Sequence, residues 1–127
     1  VGFSEGTADS LAYCRMAQAA AVDGEAAGSG LRFVVLAGGY VPPKADAKAK
    51  PLKLPSLHFA SKGDTCVAFD DSQRCARLFD GAQFCEHTGG HVVPQGAEDI
   101  KRLAGFLEAR RNEIYSPDAC RGLAEGE

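Results

Sequence analysis

The chain has 127 residues, 45% of them apolar and 24% charged, with a formal net charge of −3. That length fits one domain with enough apolar side chains for a core. The charge gives no electrostatic reason to expect nucleic acid or an anionic membrane as a partner, and no run approaches the roughly 18 apolar residues of a membrane span.

The chain opens on Val1-Gly2-Phe3-Ser4-Glu5-Gly6, a G-x-S-x-G behind an apolar residue and ahead of an Ala-rich stretch. This pattern describes a nucleophile elbow, in which a strand ends, the chain turns sharply and a helix begins with the serine at the tip. Gly2 and Gly6 are expected where a Cβ would crowd the strained turn or the strand-to-helix packing. The backbone N–H of Glu5 would lie at a helix N-terminus, ready to donate to an oxyanion. There is no initiator Met, and the chain starts inside the motif. Residues 1–127 therefore read as a single incomplete domain cut from a longer protein.

Residues 6–22 are rich in Ala and contain no Pro, so a helix packed close against a sheet is expected. Residues 31–37, Leu-Arg-Phe-Val-Val-Leu-Ala, read as a buried parallel strand, and Gly38-Gly39 gives it a tight exit. Pro42, Pro43, Pro51 and four lysines make 41–55 a solvated surface loop. Residues 56–60 form the next strand. Asp71-Ser72 can cap a helix with Cys75, Leu78 and Phe79 on one face. Residues 83–86 are a further short strand, and Gly89-Gly90-His91 turns the chain. The last helix runs over 98–114 with Ile100, Leu103, Leu107 and Ile114 in one stripe. The tail after Pro117 is polar. Alternating strands and helices imply parallel, right-handed crossovers, so the fold class is α/β.

An elbow serine needs a base and an orienting acid, which in this class follow in the order Ser, then Asp or Glu, then His. Both come from loops beyond the C-terminal ends of strands. Asp64 follows the strand 56–60, and His91 follows the strand 83–86. His91 would accept the Ser4 proton, and Asp64 would hold the imidazole tautomer. His58 lies mid-strand and reads as a core histidine with a local hydrogen bond. His87 reads as a support for the site or a surface group. Cys85, His87 and His91 lack the spacing and the fourth ligand of a zinc site. Asp70 and Asp71 rival Asp64, but Asp71 has a better use in the helix cap. The five cysteines, Cys14, Cys66, Cys75, Cys85 and Cys120, are odd in number and form no C-x-x-C. With no secretion signal ahead of them, free thiols in a reducing, cytoplasmic setting are expected. Cys75 and Cys85 are then small core residues.

Four blocks occur in the order and approximate spacing of one group. They are Gly2-Phe3-Ser4-Glu5-Gly6, Phe33 to Tyr40, Pro55-Ser56-Leu57-His58 leading to Asp64, and His87-Thr88-Gly89-Gly90-His91-Val92-Val93-Pro94. The chain resembles the fungal-type serine hydrolase family of small α/β-hydrolases, over residues 1 to about 110. The resemblance implies the C-terminal part of an α/β-hydrolase fold, with parallel strands and flanking helices. It implies a serine esterase or thioesterase with Ser4, Asp64 and His91 as the triad, the Glu5 N–H in the oxyanion hole, and an acyl-enzyme intermediate. It implies a small acyl ester or thioester as the partner, with no cofactor, no metal and no nucleic acid. Two departures stand out: Glu5 occupies a position that is often Gln, and Ser61 one that is usually Gly. The rival reading is a non-catalytic binding or interaction module that keeps the fold. A flavodoxin-like domain is a third, against which the triad order argues.

Overall fold

The computed structural model describes residues 1–20, 30–42 and 50–115. The chain divides into two compact units, Val1–Gln95 and Gly96–Glu127.

The first unit is a four-stranded sheet with two helices. In chain order it contains β1 (Gly2–Phe3), α1 (Glu5–Ala20), β2 (Val34–Ala37), β3 (Ser56–Ser61), α2 (Phe69–Ala76) and β4 (Gln83–His87). The sheet order is β1-β2-β3-β4, and every pair is parallel. This is the α/β architecture expected from the alternation of strands and helices. All four residues of β2 and all six of β3 are buried. Parallel strands covered on both faces read as continuous apolar runs for this reason.

Val34 and Leu36, two residues apart, share a face of β2. They form one buried cluster with Leu11 and Cys14 of α1, Cys75 of α2, Leu52 and Phe79. The strand expected over 31–37 is shorter, because its rungs begin only at Val34↔Ser56. Hydrogen-bond pairing, not the length of the apolar run, sets where a strand starts.

Part of the expected surface loop is held in place. Leu52 is 1% exposed and bridges to Phe79. Its N–H donates to Leu78 C=O at 2.8 Å, and its C=O accepts from Asp80 at 2.9 Å. Gln18 of α1 donates to Pro51 C=O and accepts from the Lys53 N–H. Residues 43–49 of that loop lie outside the described residues.

The expected Asp71-Ser72 cap is corrected. α2 starts two residues earlier, at Phe69, with Ala68 as its cap residue and no side-chain cap bond. Asp71 instead pairs with Arg74 one turn on. Ser72 Oγ, inside the helix, donates to Gly39 C=O at 2.7 Å. A hydroxyl that can cap a helix can equally tie it to a neighbouring loop, and here a carbonyl lay within reach.

The second unit contains α3 (Ala97–Ile114). Its buried residue is Phe106, whereas Ile100, Leu107 and Ile114 of the expected stripe are exposed. The covered face runs through Leu103, Phe106 and Arg110, whose guanidinium lies over the Phe106 ring at 4.9 Å. Periodicity shows which residues share a face. It does not show which face is covered. No helix among the described residues is long and apolar enough to cross a membrane.

Candidate active site

β1 pairs with β2 through Gly2↔Leu36 and Phe3↔Ala37. The next residue, Ser4, leaves the sheet at φ 52°, and among the described residues it alone has positive φ without being glycine. That left-handed conformation costs a serine about 1–2 kcal/mol, so the surroundings must enforce it. The Ser4 N–H donates to Ala37 C=O at 3.0 Å. The Ser4 C=O accepts from both the Thr7 N–H at 3.0 Å and Thr7 Oγ1 at 2.6 Å. Thr7 is fully buried, so this clamp is shielded from water.

Gly2 meets its expectation. A Cβ there would stand 2.6 Å from Ser10 Oγ and 2.8 Å from Gly6 C=O. Gly6 does not, because a Cβ on it meets no atom within 4 Å. The close approach in this turn falls on the strand side alone. Glu5 is the first residue of α1, so its N–H has no partner within the helix.

Asp64 closes a turn after β3, with its N–H donating to Ser61 C=O at 3.1 Å. Its side chain is 3% exposed. Oδ1 accepts from the N–H groups of Cys66 at 2.8 Å and Val67 at 2.9 Å. Oδ2 meets His91 Nδ1 at 2.8 Å. Burial pushes the carboxyl pKa up, but the Val67, His91 and Cys66 donors outweigh it and hold the group below its ordinary value. Asp64 is therefore a carboxylate at neutral pH. As an acceptor on Nδ1 it places the ring proton there and leaves Nε2 as the basic nitrogen.

His91 follows β4 after the Gly89-Gly90 turn, where Gly90 has φ 75°. Its ring lies 4.9 Å from that of Phe3, centroid to centroid, the residue just before Ser4. Gly38, at the end of β2 with φ 57°, lies beneath the pair; a Cβ there would stand 3.5 Å from Asp64 Oδ2 and 3.6 Å from the His91 ring. The structure thus brings Asp64 and His91 into direct contact and sets Phe3 against His91. No hydrogen bond joins Ser4 to His91 among the described residues.

The remaining candidates separate clearly. His58 is 2% exposed, bonds Ser56 Oγ at 2.9 Å and packs edge-on against Phe79. Burial pushes its pKa down to about 4. It is a neutral core histidine. His87 is also buried, and its Nδ1 accepts the Gly89 N–H at 3.1 Å. It buttresses the turn that carries His91. Cys75 is fully buried, and burial raises its pKa to about 12, so it is no nucleophile. Cys14, Cys66, Cys75 and Cys85 are free thiols, and Cys120 lies outside the described residues.

Among the described residues, the side chains that could gather a metal ion are not Cys85, His87 and His91. They are Asp64, Cys66 and His91, whose ligand atoms lie within 4.8 Å of one another. Both Asp64 oxygens are already engaged by three donors there. An apolar cavity of about 380 Å³, lined by Val1, Tyr13, Cys14, Phe33 and Val34 among others, lies by the start of β2. None of its lining residues belongs to the Asp64–His91 site.

Sequence reasoning did not place Gly38 or Cys66 at the site, nor the contact of Phe3 with His91. Gly38 carried a signal, a Gly-Gly exit from a buried strand. The other two depend on how loops from different strands meet.

Residues 1–103 match the serine hydrolase (FSH1) family. The chain is 32% identical over 112 residues to Esterase OVCA2 of Homo sapiens, covering 85% of this chain and 48% of that protein. It is 32% identical over 110 residues to Esterase OVCA2 of Mus musculus, covering 85% and 47%. It is 36% identical over 114 residues to Rhodanese-like domain-containing protein 6 of Arabidopsis thaliana, covering 84% and 19%. No solved structure matches. The chain spans about half the length of the two esterases. A serine held at φ 52° on a strand-to-helix turn, a carboxylate–imidazole pair at neighbouring strand ends and a family match over most of the residues agree, and the chain belongs to the serine hydrolase (FSH1) family.

Proposed function

We propose that this chain carries the catalytic residues of a serine esterase or thioesterase, with Ser4 as nucleophile, His91 as base and Asp64 as its orienting acid. The observation that carries the reading is the 2.8 Å bond between Asp64 Oδ2 and His91 Nδ1, formed beside the elbow serine. Ser4 Oγ attacks the acyl carbonyl carbon and gives its proton to His91 Nε2. The oxyanion accepts a hydrogen bond from the Glu5 N–H. Collapse expels an alcohol or thiol, which takes the proton back from His91. Water, activated by the same imidazole, then hydrolyses the acyl-enzyme. The Ser4–His91 hydrogen bond forms as substrate fills the site, since catalytic hydrogen bonds often tighten only in the complex. No step calls for a cofactor, and the free thiols suit a reducing, cytoplasmic setting.

The missing Ser4–His91 bond also favours the rival reading of a binding module that keeps the fold. Labelling the full-length protein with a fluorophosphonate probe separates the two. The proposal expects a covalent adduct on the Ser4 peptide that Ser4→Ala and His91→Ala abolish. A protein that is folded yet unlabelled is a binding module.

A further inference from the structure

The strands β3 and β4 stop pairing at Ser61↔His87. Beyond that rung the chain diverges into two loops, one ending in Asp64 and the other in His91. No ladder holds these loops together. Yet a triad requires the two side chains to meet within a few tenths of an ångström.

Besides the Asp64–His91 contact itself, the side chain of Ser61 spans the gap. Ser61 is 1% exposed. Its Oγ accepts the Gly63 N–H of the acid loop at 3.2 Å and the Gly90 N–H of the histidine loop at 3.1 Å. Its C=O accepts the Asp64 N–H at 3.1 Å. Gly63 and Gly90 are the residues immediately before Asp64 and His91. The loops also touch directly: a Cβ on Gly90 would stand 3.5 Å from Gly63 C=O. The exposed Lys62–Glu86 ion pair at 3.3 Å also joins the two segments, from a residue still within β4, and exposed pairs contribute little.

We propose that Ser61 is a positioning residue that locks the acid and histidine loops in register, so that Asp64 Oδ2 meets His91 Nδ1. This rests on the triad reading above. The hydroxyl needs no contact with substrate to do it. Replacing Ser61 by alanine removes the one acceptor that the Gly63 and Gly90 N–H groups share, so each loop turns to water for its hydrogen bond and the two are no longer tied together. A hydroxyl one atom from the backbone suits this place because the two donors converge on it from opposite loops. Threonine keeps that oxygen.

The test compares Ser61→Ala and Ser61→Thr with the full-length wild type. Three measurements are made: ester hydrolysis, thermal unfolding, and the proton NMR signal of the His91 Nδ1–H. The proposal expects Ser61→Ala to remain folded, to lose roughly 10-fold or more in kcat with KM little changed, as a misplaced catalytic group does, and to broaden or lose the Nδ1–H signal. Ser61→Thr should restore both kcat and the signal. If the added methyl prevents Ser61→Thr from folding, the NMR signal of Ser61→Ala decides alone. A Ser61→Ala protein with wild-type kcat and an intact Nδ1–H signal overturns the proposal. So does a loss of stability with the signal unchanged, which would make Ser61 merely structural. Ser4→Ala and His91→Ala are run alongside. If they abolish hydrolysis while Ser61→Ala is unaffected, the triad stands and only the positioning role fails. If they leave hydrolysis intact, the triad reading itself fails.

Discussion

Asp64→Asn tests the candidate site most sharply, because the backbone dictates how the new amide must face. Oδ1 of Asp64 accepts two N–H groups, from Cys66 and Val67. An amide nitrogen is a donor only, so the asparagine oxygen must stay on those two groups. Its NH2 then faces His91 Nδ1, where the carboxylate oxygen stood at 2.8 Å. A donor pressed on Nδ1 turns that nitrogen into the acceptor and shifts the ring proton to Nε2. Nε2 then cannot take the proton of Ser4. The base is present, in place and in the wrong tautomer.

The expected loss in kcat is about 10⁴, the effect of the same change in a serine protease triad, and equals about 5 kcal/mol of barrier. KM should change little, since Asp64 touches no substrate. The cost in folding is smaller, about 1–2 kcal/mol, as two charge-assisted bonds become neutral ones. The assay is hydrolysis of a p-nitrophenyl ester by the full-length protein, with urea unfolding measured in parallel. A folded Asp64→Asn protein with kcat near that of the wild type would refute the tautomer argument, and with it the role given to Asp64.

Two further outcomes follow from the same structure. His58, pushed down to about 4 by burial, stays neutral in the folded protein while the unfolded chain protonates near 6.5. Stability is therefore complete above pH 6.5 and falls as pH drops toward 4, by about 2 kcal/mol at pH 5 and about 3 kcal/mol at pH 4. The lowered pKa of Asp64 acts in a separate window, contributing stability that is lost only as pH falls below the ordinary carboxylate range. Urea midpoints between pH 7.5 and 5 should decline in the wild type and flatten in His58→Leu; an equal decline in both sinks the assignment to His58. At the elbow, Gly2→Ala should destabilise by about 2 kcal/mol or more through overpacking, since one of its two clashes is with backbone. Gly6→Ala, which meets open space inside a helix, should be neutral or stabilise by up to about 1 kcal/mol. Thermal melts that rank the two the other way would show that the turn is packed differently.

The elements were legible where one residue pattern answers one question. The apolar run at 31–37 announced a buried strand, though only 34–37 pairs, and Ser4, Asp64 and His91 each follow a strand in an order that few folds use. What escaped was whatever depends on two segments at once. Leu52 lies among prolines and lysines, and nothing local marks it as core until Phe79 is set beside it. Ser72 looked like a cap because the sequence cannot show that Gly39 C=O lies above the helix. Ser61 stood out in the sequence only as a departure, and its use shows only where two loops converge on its hydroxyl. The stripe on α3 failed for a different reason: the period was right, and the choice of covered face was not in the period.

The candidate site is unevenly held, and the unevenness matches the chemistry proposed for it. The proposed acid and base are over-determined. Asp64 is fixed by its own N–H and by three donors to its carboxylate, and the His91 ring is fixed by Asp64, Phe3 and the Gly38 floor. Ser4 is the reverse. Its backbone is clamped in a strained conformation by Ala37 and Thr7, while its hydroxyl makes no hydrogen bond among the described residues. A nucleophile must move, since its oxygen has to leave hydrogen-bond distance to a base and reach bonding distance to carbon. An acid and a base must not move, since a tautomer is kept only while donor and acceptor stay aligned. Strain stored in the Ser4 backbone fixes where the hydroxyl is hung without fixing where it points. Under the proposed mechanism, that division leaves the hydrogen bonds of the site on the acid and the base, and none on the hydroxyl that would form the covalent bond.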